Sequence, residues 1–123
     1  MRVAAVVIQN IVRVLGLILL VLGFRFWTGH SLRFVALHMR MGEITIGLLW
    51  ILAGIGMRRG VSAGMVLGGM FYGVLVLAFA FRMQMFLPGA GHDVIRVVHM
   101  LFGLGAIGMV ETIGRRIKRA AIR

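Results

Sequence analysis

"GHSLRFVALHMRMGEITIGLLWILAGIGM", residues 29–57, decides how the chain is read. From Leu32 to Met57 the stretch is apolar enough and long enough to cross a bilayer, which takes about 20 helical residues. Ser31 stands where a helix N-cap belongs. Yet the span carries Arg33, His38, Arg40 and Glu43, residue types that are rare in lipid unless they have partners or a function. The pattern returns at 91–108, "GHDVIRVVHMLFGLGAIG", with Asp93 in the capping place. The second copy is one residue shorter; with that gap placed in it, Gly-His, His-Met and two later glycines align.

Working outward, two more apolar runs appear, Val3–Phe24 and Ala63–Phe86, beside the spans 32–57 and 94–113. A basic tail, 114–123, follows. Gly60 marks a turn between the second and third spans, and Pro88-Gly89 is expected to break the third. Short loops make successive helices antiparallel neighbours. The expected fold is all-α, a polytopic membrane four-helix bundle built as two helix hairpins in parallel repeat, a single transmembrane domain over 1–123. "LGFRFWTGH" offers no small-x-small cleavage site after the first run, so that run reads as a retained anchor.

Composition agrees. The chain is 61% hydrophobic and 14% charged, with three acidic residues and one proline, against about 45–50% and roughly 25% in soluble domains. Mean hydropathy is +1.03. The net charge of +11 does not point to nucleic acid, because the cations sit at the ends of apolar runs. Arg2, Arg58, Arg59, Arg115, Arg116, Lys118, Arg119 and Arg123 fall on one side; Arg25, Arg33, Arg40, Arg82 and Arg96 lie nearer the other. The richer side is expected in the cytoplasm, with both termini. Cysteine is absent, which excludes disulfides, thiolate metal sites and covalent haem attachment. A transition metal or haem would have to be held by His or Met.

His38 and His99 lie seven and six residues past their expected caps, roughly 10 Å into the bundle at 1.5 Å per residue. Their helices run the same way, so the imidazoles reach similar depth. Two neutral imidazoles at one level can ligate an iron from opposite faces, the axial arrangement of a non-covalent b-type haem. Gly42 and Gly103 follow each histidine by four residues, on the same helix face, and leave room for a flat macrocycle. Arg33 and Arg96 lie outward of the proposed iron, where propionates would point, and arginine's fork suits carboxylates. Arg96 shares a face with His99, whereas Arg33, five before His38, would have to reach round. Arg25 and Arg82 would add to the same field. The competing reading of each histidine is a packed or hydrogen-bonded residue. His30 and His92 fall in outer loops, either as solvated residues or in proton exchange or quinone contact.

His-Met near the outer end of a helix, repeated across a four-helix bundle with arginines outside it, resembles the small bacterial four-helix membrane b-type cytochromes. The resemblance covers the two loop-plus-helix segments. It implies one non-covalent haem b on His38 and His99, electron exchange with quinone or a partner protein, and the bacterial inner membrane. Di-haem members of that group carry further histidines near the other face. This chain has none there, so one haem at most is implied.

Other features point elsewhere. Arg13, midway along the first span, is expected to contact Glu43, joined by Gln9 or Asn10. Glu111 stands four before Arg115, the spacing of a helix-end pair. Gly60, Gly64 and Gly68 form a small-xxx-small row, with Gly69 and Gly73 beside it, suited to packing within the bundle or to a homodimer seam. Ten methionines, some in "HMRM" and "RMQMF", fit packing or copper handling. The rival to an electron carrier is a non-catalytic accessory subunit of a larger membrane complex. No nucleophile stands near a base, and neither a P-loop nor a dinucleotide fingerprint is present.

Overall fold

Four helices carry the chain: α1 (Arg2–Trp27), α2 (Val35–Arg58), α3 (Ala63–Arg82) and α4 (His92–Ile122). The computed structural model describes residues 2–85 and 89–122. All four helices are long and apolar enough to cross a membrane, and no strand occurs among the described residues. The all-α four-helix bundle expected from the sequence is the fold observed.

Glycine ends the first two helices. Gly29 takes φ +79°, His30 N–H donates to the Arg25 carbonyl at 2.8 Å and Gly29 N–H to that of Phe26 at 3.0 Å. That is a Schellman end, and its left-handed residue is best filled by glycine. Gly60, at φ +83°, ends α2 in a related way, with Val61 N–H donating to the Gly56 carbonyl at 3.0 Å. Ser62 then caps α3, its Oγ accepting from Met65 N–H at 3.4 Å.

Two expected caps do not cap. Ser31 is left-handed at φ 59°, and its hydroxyl makes no capping bond. It accepts instead from Arg25 Nε at 2.6 Å, and a 3-10 turn, Leu32–Phe34, separates it from α2. Asp93 lies inside the first turn of α4, which begins at His92; its carboxylate takes Arg96 at 3.1 Å. The third helix stops at Arg82 rather than Phe86, followed by a 3-10 turn, Met83–Met85. Pro88, the expected breaker, lies outside the described residues. The basic tail is helical as far as Ile122: α4 has 31 residues, about 46 Å at 1.5 Å each, longer than the roughly 30 Å hydrocarbon core.

Every pair of helices packs together except α1 and α3. The helices that carry the repeated motif, α2 and α4, therefore meet across the short diagonal, with α1 and α3 on the flanks. The main core lies toward the end that holds the chain termini: Ala5, Ile8, Val12, Leu49, Leu52, Ala53, Val61, Val66, Val110, Ile113 and Ile117. A smaller cluster, Ile46, Val76 and Ala106, lies nearer the histidines, with Trp50, Tyr72 and Phe102 packed on it. Trp50 lies against Gly73, and its indole N–H donates to the Met70 carbonyl at 3.1 Å. By contrast, Gly64 and Gly68 are exposed, with open space where a Cβ would point. Gly64 and Gly68 therefore face outward, whereas Gly69 and Gly73 beside them pack within the bundle, against Ile113 and Trp50.

The expected Arg13–Glu43 contact does not form. Arg13 pairs with Glu111, Nε to Oε1 at 2.6 Å and the second prong to Oε2 at 2.9 Å. Glu43 takes Arg40, three residues before it on the same helix face, at 3.1 Å. Depth along one helix cannot tell which neighbour faces a given residue, and Arg13 turns toward α4, where Glu111 meets it. The expected helpers do join. Gln9 Nε2 donates to the Glu111 carbonyl and carboxylate at 3.3 and 3.4 Å, and Asn10 accepts from Arg13 at 2.9 Å.

Candidate functional site

His38 lies on the first turn of α2 and His99 on the second turn of α4. Their ring centres stand 6.3 Å apart, with planes inclined by 54°. An aromatic ring backs each imidazole. Phe26 of α1 meets His38 edge-on at 5.3 Å and 74°. Phe79 of α3 stacks beside His99 at 6.4 Å and 16°. Four rings, one from each helix, thus cross the bundle in the order Phe26, His38, His99, Phe79. Behind His38, α1 presents Gly23, where a Cβ would lie 3.8 Å from the imidazole Cε1.

Both histidines are only partly exposed, and the Nδ1 atom of each is buried without a hydrogen-bond partner. A buried, unsatisfied polar atom costs free energy and calls for a specific explanation. Two such atoms on neighbouring imidazoles suit a shared ligand or a shared water. A metal–imidazole bond of about 2.0–2.1 Å puts two rings on opposite sides of one metal roughly 6 Å apart, centre to centre. The observed separation meets that distance. Among the described residues no group of three or more His, Cys, Asp or Glu side chains could hold a metal ion. The donor set is therefore two imidazoles, too few for a closed tetrahedral zinc site. It suits a metal that brings its other ligands with it, as haem iron does.

Gly42 and Gly103 lie one turn further along the same faces, and a Cβ on either would meet nothing within 4 Å. No side chain therefore crowds either glycine. The two arginines expected to serve carboxylates are engaged elsewhere. Arg33 is exposed and lies over the Phe34 ring at 4.8 Å. Arg96 is held by Asp93. His30 is exposed, its Nδ1 3.0 Å from the Thr28 hydroxyl. His92 opens α4. Met39, next to His38 in sequence, is exposed, whereas Met41 is buried.

Gly23, Phe26 and Phe79 belong to the site and were not singled out from the sequence. The signal was faint: Gly23 and Phe26 are one turn apart at the end of α1, and Phe79 sits one turn before Arg82 on α3. Comparison with protein-family models, curated proteins and solved structures found no match for the chain.

Proposed function

We propose that the protein is a membrane-embedded electron carrier that holds one non-covalent b-type haem between His38 and His99. The observation that carries the reading is the imidazole pair at 6.3 Å, each ring with a buried, unpartnered nitrogen. His38 and His99 would hold the haem iron through their imidazoles. Gly42 and Gly103 leave space beside them, while Phe26 and Phe79 fix the rings and keep water away. The bound haem supplies one-electron chemistry. In this reading the chain sits in the bacterial inner membrane, with both termini and the richer set of cations in the cytoplasm. The histidine end then faces outward, where quinone or a partner protein exchanges electrons. Purified chain from haem-replete cells should show a Soret band that is lost in His38→Ala and in His99→Ala. A colourless preparation overturns the reading.

A second reading rests on the outward glycine row of α3. Gly60, Gly64 and Gly68 form a seam of the kind that brings membrane helices close, which favours an accessory subunit or a homodimer. It is compatible with the first.

A further inference from the structure

Four of the five arginines at the histidine end are occupied by their own chain. Arg25 donates to the Ser31 hydroxyl, Arg33 covers Phe34, Arg40 pairs with Glu43 and Arg96 pairs with Asp93. Arg82 is different. It is exposed and has no hydrogen bond, ion pair or ring contact among the described residues. It stands at the end of α3, on the rim of a cavity of about 270 Å³ whose other walls are Leu75, Ala78, Phe79 and Phe102. A free guanidinium over an apolar hollow suits an amphiphile with an acidic group and a greasy body. The hollow adjoins the proposed site: one of its walls, Phe79, is the ring stacked beside His99.

We infer that Arg82 and this cavity receive the carboxylate-bearing edge of the haem, a role that sequence spacing assigns to Arg33 and Arg96. The inference rests on the haem reading. A guanidinium binds a carboxylate through two parallel, charge-assisted hydrogen bonds, and near an apolar wall water competes less for them. Arg33 and Arg96 would each first have to give up a partner. Arg82 gives up only solvent.

The test uses the 123-residue chain in detergent micelles, stripped of pigment, and follows the Soret band on titration with haem and with haem dimethyl ester, which lacks free carboxylates. Arg82→Gln should weaken haem binding roughly tenfold or more, the size of a lost charged hydrogen bond. It should leave binding of the diester unchanged, and Arg82→Lys should fall between. Arg33→Gln and Arg96→Gln should bind haem nearly as the parent does. Equal haem binding by parent and Arg82→Gln overturns the inference and spares the haem reading. So does equal weakening for haem and diester, which marks a structural role. Loss of co-purified anionic lipid in Arg82→Gln, seen by native mass spectrometry with haem affinity intact, assigns the guanidinium to a lipid headgroup and overturns the inference as well. A parent chain that gives no Soret band with either probe ends both readings together.

Discussion

Arg13 and Glu111 meet fork to fork, two hydrogen bonds tying the middle of α1 to α4. Gln9, 1% exposed, reinforces the pair from beneath. Glu111→Leu would strand a guanidinium within the span, with Asn10 as its remaining partner. The variant should melt several degrees below the parent in a detergent thermal scan, and adding Arg13→Leu should restore much of the loss. Glu43→Leu should melt close to the parent, because its partner Arg40 is 78% exposed. The reverse order of effects would count against the pairing.

Gly73 and Gly64 lie on the same helix and answer to different neighbours. A Cβ at position 73 would strike Trp50 and Ile46, so Gly73→Ala should cost about 1–3 kcal/mol through overpacking and change the tryptophan fluorescence. Gly64→Ala meets open space and should leave the isolated chain as stable or slightly more so. If α3 forms a seam in the membrane, Gly64→Leu together with Gly68→Leu should shift the assembled species to monomer in size-exclusion chromatography with light scattering.

Leucine at position 42 or 103 should separate folding from pigment. Both positions face free space, so Gly42→Leu and Gly103→Leu should keep the melting behaviour of the pigment-free chain. Haem content per protein should fall by roughly half or more, because a branched side chain would occupy the place of the macrocycle edge. Full haem content in both variants would show that the macrocycle does not pass these glycines.

His99→Met keeps a ligand while changing its character. In the haem reading the variant should retain a Soret band, and its reduction potential should move upward, within the roughly 0.8 V range that axial ligands set. Spectroelectrochemical titration reads the shift. An unchanged potential would mean that position 99 does not touch the iron.

Run length and composition are enough to specify four spans, because lipid demands long apolar helices and tolerates little else. The meeting of His38 and His99 was also legible, from two motifs at one depth on helices that run the same way. Other features depended on rotation about a helix axis, which depth does not fix. Counting points Arg13 to Glu43 and Glu111 to Arg115, and only packing turns Glu111 toward Arg13 instead. The same holds for the glycine row of α3, whose spacing is that of an interface whether the row turns inward or outward. Arg33 and Arg96 show a different effect, that of local partners. Their own neighbours, Phe34 and Asp93, are one and three residues away, and local contacts of that kind form before distant ones.

The main core sits toward the end that holds the termini, from Ala5 to Ile117, while around the imidazoles only a few apolar side chains, such as Met41 and Ile95, are buried. The bundle is thus held like a pair of tweezers, gripped at one end and compliant at the tips. Local opening follows the thinner packing, so the tips can part to admit or release a flat guest while the grip stays shut. Amide exchange in the first turns of α2 and α4 should therefore outpace exchange around Leu52 and Ile113, and loading of the guest should slow it.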